Sequence, residues 1–371
     1  LATPCLERVH SLKSGQSLAS DMPLDRIDPL RDARWDEFVR AHPRASLFHS
    51  PEWLRTLSRT YGYQPLVLTT TSPGQSLQNG VVFCEVKSWA TGRRLVSLPF
   101  SDYCEPLVHE DGEAALLSLA IEQESRFGKW RYIELRRLHS GAITSSQSQS
   151  STVYTLHRLD LSPGLEEIFQ NFHKSSTQRK VRRAEREKLD YREGGMEYFE
   201  DFYRLFTITR KRHRRPPQPR IWFQNLMQNF GDALKIRVAH KDNRVVAAIM
   251  TIRYKNTMVY KYGGSNPEFN SLGSMHLLFW KSIQEAKALG LQCFDFGRTE
   301  TDQPGLITFK RRWGTRESVL RYSRFGTAAT TVHSFEPSTE NWKSAAASAV
   351  FAHLPVRVLP VAGRLLYKHV G

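Results

Sequence analysis

Apolar residues recur at helical spacing in RWDEFVRAH (34–42) and PEWLRTLSRTYG (51–62), and Ser50 and Pro51 suit the cap and first turn of the second helix. Three runs then alternate or stay apolar over strand lengths: QPLVLTTT, NGVVFCEVKSW and RRLVSLPF, separated by the turn-forming TSPGQS and TG. DGEAALLSLAIEQESRFG (111–128) returns to the helical period, and WRYIELR (130–136) reads as a strand. The second half repeats this order. Helices are predicted in LEEIFQNFHKSSTQRKVRRAEREK and MEYFEDFYRLFTITRKRH, with PPQP breaking the chain before IWFQNLMQNFG. Three strands follow in ALKIRVAHKDNRVVAAIMTIRYKNTMVYKYGGS, then a helix in GSMHLLFWKSIQEAKALG and a strand in CFDFG. Helix, helix, three antiparallel strands, long helix, strand thus occurs twice, which predicts two related α+β domains.

The expected boundaries are a leader over 1–25, domains over 26–155 and 156–325, and a basic amphipathic tail over 326–371. The Ser/Gln-rich SGAITSSQSQSST (140–152) is expected to be a flexible insertion. A length of 371 residues accommodates about two domains with cores of their own.

Charge changes the picture next. Fifty-three Lys and Arg against 37 Asp and Glu leave a net charge of +16, which calls for an anionic partner: a phosphate-bearing substrate, RNA or an acidic membrane surface. Eight cations against three acids lie between Lys174 and Arg192, and five of the six residues from Arg210 to Arg215 are basic with no acid among them. The first run reads as a solvated helical face. The second is suited to RNA, a nucleotide diphosphate or anionic lipid. The four cysteines (5, 84, 104 and 293) form no CxxC, against a zinc site or disulfide framework and consistent with a reducing cytoplasm. No apolar run reaches transmembrane length, so membrane contact at the inner face is expected to be peripheral. P-loop, HExxH and GxSxG motifs are absent.

One segment carries an anomaly. In GLITFKRRWG, opened by Pro304 and closed by Gly314, Leu306, Phe309 and Trp313 share a helical face with Lys310. Either the ammonium snorkels at the helix edge or it has a task, since an unpaired buried charge is costly. Asp102 and Tyr103 in LPFSDYCEPL follow a strand end; they suit acceptor binding or acid–base work, or else a turn with the tyrosine in the core. Tyr260 and Tyr262 are expected on one strand face opposite Lys261, with Tyr262, beside two glycines, the better site candidate. Asp295, Gly297, Arg298 and Glu300 cluster in FDFGRTE, where Arg298 is placed to grip a phosphate or carboxylate or to form an ion pair.

The ordered set QRKVRRAERE, VVAAIMTIRYKNTMVYKYGGSNP, LLFWKSIQEAKALGLQCFDFGRT and GLITFKRRWG, with FHSPEWLRTLSRTYGYQPLVL and LPFSDYCEPL before it, resembles the FemAB-like and CelD-like branch of the GNAT acyltransferase superfamily, in the flavour associated with exopolysaccharide and exosortase systems. The resemblance spans roughly residues 33 to 323. It implies tandem GNAT-like domains and acyl transfer to an amine or hydroxyl. The donor is acyl-CoA or aminoacyl-tRNA, and the acceptor an anionic small molecule or lipid-linked saccharide of the cell envelope.

The resemblance also implies roles. Phe309 and Lys310 match an active-site pair, with Lys310 stabilising substrate or transition-state charge; Asp102 joins them as a catalytic candidate. Tyr103, Tyr262, Arg298, Asp295 and Arg220 are implied at the substrate. Asn270, Gly273 and Ser274 occupy the place of the pyrophosphate loop, although Met275 stands where that pattern has a small residue, which weighs against acyl-CoA in its usual pose. Three functions follow: acyl transfer onto an exopolysaccharide-related acceptor, peptidoglycan-bridge aminoacyl transfer from tRNA, and non-catalytic anion binding on the same scaffold.

Overall fold

A computed structural model describes residues 24–89, 92–138, 148–326 and 359–370. In chain order the elements are β1 (Asp25–Ile27), α1 (Ala33–Ala41), α2 (Pro51–Tyr61), β2 (Gln64–Thr69), β3 (Val81–Ser88), β4 (Gly92–Val96), α3 (Asp111–Phe127), β5 (Tyr132–Arg137) and β6 (Ser148–Asp160). Then come α4 (Leu165–Gln170), α5 (Arg179–Arg186), β7 (Asp190–Gly194), α6 (Phe199–Arg212), α7 (Arg220–Phe230), β8 (Leu234–Lys241), β9 (Arg244–Tyr254), β10 (Thr257–Ser265), α8 (Ser274–Ala288), β11 (Cys293–Glu300), α9 (Pro304–Arg311), β12 (Arg316–Phe325) and α10 (Leu359–Val370).

The repeated order predicted from the sequence is present as α1, α2, β2–β4, α3, β5 and as α6, α7, β8–β10, α8, β11. The α+β class holds, with strands mainly antiparallel and a parallel pair in each half, β4 with β5 and β10 with β11. The two sets of strands are not separate sheets. All twelve strands of the described residues form one sheet in the order β1-β2-β3-β4-β5-β12-β6-β11-β10-β9-β8-β7. The join is an exchange: β6 follows β5 in sequence but pairs with β11, and β12 follows β11 but returns to pair with β5. The two exchanged strands also pair with each other along Arg316–Phe325 and Ser148–Arg158.

Four strands were missed by hydrophobic patterning: β1, β6, β7 and β12. Part of the supposed flexible insertion, from Ser148 onward, is strand; its first residues, 140–147, lie outside the described residues. In β12 the buried Leu320, Tyr322 and Phe325 are interleaved with the exposed Arg321 and with Arg324, which pairs with Glu134 of the neighbouring β5. The leader falls mostly outside the described residues, but its last residue, Asp25, opens β1, which pairs with β2.

One face of the sheet carries a core common to both halves. Trp53 of α2 meets Trp222 of α7 edge-on at 5.4 Å, and the same cluster runs from Trp35 and Leu57 to Phe206, Phe223 and Ile236. The other face holds separate cores, the larger ones under α3 (Leu117, Ile121, Phe83) and under α8 (Phe279, Ile283, Phe294, Trp313) and a small one between α5 and α8 (Ala184, Leu189, Leu277). Burial of these apolar side chains is the main stabilising term. The shared core is what locks the halves together.

Candidate functional site

The parallel strands β10 and β11 are paired only over Thr257–Val259 and Cys293–Asp295. Beyond that point each carries an irregularity. β10 shifts register against β9 between Tyr260 and Tyr262, so Lys261 is a bulge residue. β11 shifts against β6 between Asp295 and Arg298, where Gly297 has φ +74°. A β-carbon at Gly297 would lie 3.3 Å from Asp102 Oδ2, so the absence of a side chain lets the loop after β4 reach into the gap.

Lys310 forms the floor. Of the α9 residues it alone is buried, at 4% exposure, while Leu306 is 38% exposed and Phe309 half-buried. The helical face inferred from the sequence is therefore turned: the lysine points inward and Leu306 outward. Its Nζ donates to the carbonyls of Gly297 and Arg298, both at 2.9 Å. An ammonium has three donors, and no third bond is made among the described residues. Burial lowers the Lys310 pKa to about 8, against the opposing fields of Asp102 and Asp295.

Around it lies a cluster of charges drawn from both halves. Asp102 Oδ2 accepts from Lys261 Nζ at 3.1 Å, and Arg298 Nε is 3.8 Å from Oδ1. The Lys261 side chain is 6% exposed and sits over the rings of Phe48 (4.9 Å) and Trp53 (5.5 Å). Burial depresses its pKa, and Asp102 works against that shift. Asp295 accepts from the Gly297 amide at 2.7 Å and from Arg158 Nε at 3.3 Å; its pKa is raised, by burial first. Arg298 stacks on Tyr154 (4.3 Å) and Tyr322 (5.3 Å), and Tyr322 donates to the Asp102 carbonyl at 2.6 Å. His157, buried beside Thr315, has its pKa lowered to about 4 by burial and then by Lys310.

The structure thus brings together Lys310, Asp102, Arg298 and Asp295. Tyr103 is adjacent, but its hydroxyl accepts from Arg158 and its ring packs edge-on against Phe48. Phe309 packs beside the floor, against His276 (5.4 Å) and Phe279 (5.9 Å).

Two expectations fail. The bulge at Lys261 breaks the alternation of β10, so Tyr260 packs in the α8 core and Tyr262 in the shared core on the other face. Tyr262 accepts from Trp222 Nε1 at 2.9 Å and is a core residue, not a cleft residue. Arg220 likewise finds its partners on α6, pairing with Glu200 and lying over Phe199 and Tyr203.

Lys261, Arg158, Tyr154 and Tyr322 were not singled out from the sequence. Only Lys261 left a signal there, a cation at a strand position flanked by tyrosines and glycines.

The region of Asn270, Gly273 and Ser274 is not an open anion cradle. Asn270 is exposed and bonds Ser265. Gly273 takes φ +83°, and a β-carbon there would stand 2.3 Å from the Lys180 carbonyl of α5, which packs on α8. Ser274 is buried beneath, its hydroxyl unpaired among the described residues. The outward side of α5 presents Arg179, Arg182 and Arg186, exposed and, among the described residues, without a carboxylate partner. Among the described residues no group of three or more His, Cys, Asp or Glu is placed to hold a metal.

Comparison with known proteins agrees with this architecture. Residues 172–311, which include α8, β11 and α9, match the Acetyltransferase (GNAT) domain family. UDP-N-acetylmuramoylpentapeptide-lysine N(6)-alanyltransferase of Weissella viridescens is 23% identical over 144 residues, 38% of this chain and 43% of that enzyme. The crystal structure of FemX superposes with a TM-score of 0.63 at 14% identity, covering 81% of this chain and 97% of that one. The C-terminal domain of a lysylphosphatidylglycerol synthetase from Agrobacterium fabrum, so described in its own structure, gives 0.51 at 13% identity over 80% and 92%. Residues 172–311 thus match a GNAT acetyltransferase domain, and the chain is similar in sequence to the alanyltransferase, of whose length it spans less than half, and in fold to FemX.

Proposed function

We propose that this protein transfers an aminoacyl group from aminoacyl-tRNA to an amine of a peptidoglycan-precursor type acceptor. The carrying observation is Lys310: a buried ammonium fixed by two backbone carbonyls, with a third N–H uncommitted among the described residues, beside a carboxylate contributed by the other half of the sheet. In acyl transfer the amine nitrogen attacks the ester carbonyl, negative charge develops on its oxygen, and collapse breaks the C–O bond to the ribose. The amine's proton ends on the departing ribose hydroxyl. A preorganised cation at the developing oxyanion stabilises this path by about 3–4 kcal/mol. Asp102, already oriented by Lys261, is suited to receive an N–H of the acceptor amine.

Two features support tRNA over acyl-CoA as donor. The first turn of α8, where a pyrophosphate would bind, lies under α5. The outer face of α5 is cationic, as a phosphate backbone requires. The alanyltransferase relative and the FemX fold favour the peptidoglycan-bridge acceptor over the exopolysaccharide acceptor expected from the sequence.

The test is incubation with alanyl-tRNA and UDP-N-acetylmuramoyl-pentapeptide, read by mass spectrometry. Addition of one alanyl residue, abolished by RNase, is the expected result. Transfer from acetyl-CoA that survives RNase, or no transfer from any aminoacyl-tRNA, overturns the proposal. Reversal of Arg182 and Arg186 to Glu is expected to raise KM for the tRNA at least about tenfold and reduce its salt dependence, with kcat kept.

A further inference from the structure

The helix α10 has two unlike sides. Inward, Leu359 is fully buried, and Gly363 packs so closely that a β-carbon would stand 2.0 Å from the Pro217 carbonyl. Tyr367 is fastened at both ends: its carbonyl accepts from Tyr63 at 2.9 Å, and its hydroxyl accepts from Arg210 at 2.7 Å and donates to Pro216 at 3.1 Å. Outward, Val361, Arg364, Leu365 and Lys368 follow one another at helical spacing and are exposed. Val361 is 60% and Leu365 67% exposed, with Leu366 beside them at 36%.

The apolar part of this face continues onto a neighbouring strand end. Trp89, next to β3, is 90% exposed, and its ring meets His369 of α10 edge-on at 5.9 Å. His369 is held in turn by Ser88 at 3.1 Å and by Arg94, which donates to its carbonyl at 2.8 Å. Apart from this one ring contact the indole leaves nearly all of its apolar surface in solvent.

We propose that α10 and Trp89 form a docking surface for an anionic lipid bilayer, lying in its interface. Trp and Leu side chains at the apolar–polar boundary, interleaved with cations, are the pattern of an interfacial helix. The sequence from Leu359 to Val370 contains no acid, Arg212 and Arg214 are exposed at the end of the adjoining α6, and the chain carries a net charge of +16. Among the described residues no helix is long and apolar enough to cross a membrane, so contact is along the surface. A second copy fits less well, because a twofold contact through this face would set Arg364 and Lys368 against their own counterparts.

The surface is mechanically joined to the catalytic region. Tyr367 binds the Arg210–Pro216 segment, and Arg215 of that segment pairs with Glu300 at 3.1 Å, at the end of β11. A bilayer bound at α10 is therefore coupled to the strand that supplies Gly297 and Arg298. The proposal does not depend on the identity of the acyl donor.

Co-sedimentation of the full chain with vesicles of phosphatidylglycerol and phosphatidylcholine, against phosphatidylcholine alone, tests it. Binding to the anionic vesicles only, weakened by salt, is expected. Arg364→Glu with Lys368→Glu should weaken it at least about tenfold, and Trp89→Ser should weaken it and remove a blue shift in tryptophan emission. Far-UV circular dichroism and the unfolding midpoint confirm that both variants fold. Failure of the wild-type protein to bind, equal binding by the folded variants, or a dimer by light scattering that these substitutions dissociate would each overturn it.

Discussion

The sheet contains the same gap twice, and the two are finished differently. In the first half, β4 and β5 pair only over Arg94–Val96 and Tyr132–Glu134, and the following residues 97–104 fold back into the space. Ser97 and Cys104 donate to β5 carbonyls at 2.7 and 2.9 Å. Arg136 donates to the carbonyls of Leu98 (2.8 Å) and Ser101 (3.2 Å), and is itself held by Glu134 at 2.9 Å. In the second half β10 and β11 diverge in the same way, and a cation again caps two backbone carbonyls. There it is Lys310, with no carboxylate in hydrogen-bond contact among the described residues and a pKa lowered to about 8. A guanidinium fixed by a carboxylate closes a gap. A partly desolvated ammonium with a donor to spare leaves one ready for charge that develops during reaction.

The strongest way to break this comparison is Lys310→Met, which keeps the volume and removes the charge. A loss of about 100- to 1,000-fold in kcat/KM with an unchanged circular dichroism spectrum is expected; retention of activity would make the two gaps equivalent. Next in size is the pH profile. If the cation is the working form, kcat/KM falls about tenfold per unit once pH rises past about 8, and Lys310→Arg, where it is active, extends the plateau. The stability sign is opposite. Because the folded pKa lies below the ordinary 10.5, the unfolded chain binds more protons between about 8 and 10.5, so this lysine's penalty shrinks as pH rises through that window. Urea midpoints for wild type and Lys310→Met across it measure the difference.

In the closed gap the expectation is stability without catalysis. Glu134, buried between Arg136 and Arg324, is a purely structural anion in this view. Glu134→Gln should cost about 3 kcal/mol in denaturant unfolding while kcat is maintained. The smallest effect belongs to Gly297→Ala, where φ +74° and the 3.3 Å approach to Asp102 should cost about 1–2 kcal/mol. Unfolding measurements at neutral pH check that figure, and a KM change larger than the kcat change would place Asp102 on the acceptor side.

The repeated element order was legible because each helix and strand buries one face, and the periods of 3.6 and 2 survive in the sequence. Lys310 was legible as an oddity for the same reason. The direction it faces was not: α9 turns on contacts with β11 and Trp313, so the apparently apolar Leu306 is exposed and the lysine buried. The tyrosines of β10 show the limit most clearly. Strict alternation puts Tyr260 and Tyr262 on one face, and a single bulge at Lys261 sends them to opposite cores.

What the sequence determined by itself was local: element type, turn positions, the α+β repeat, a strong positive charge and one cation in apolar company. What only the tertiary structure decided was which distant groups meet. The exchange of β6 and β12 fuses the halves into one sheet, and the loop after β4 then delivers Asp102 to Lys261 and Arg298, 159 and 196 positions away. No periodicity records such a meeting. It is held by long-range pairing, against the desolvation cost of the charge cluster, and neither leaves a trace in the spacing of neighbours along the chain.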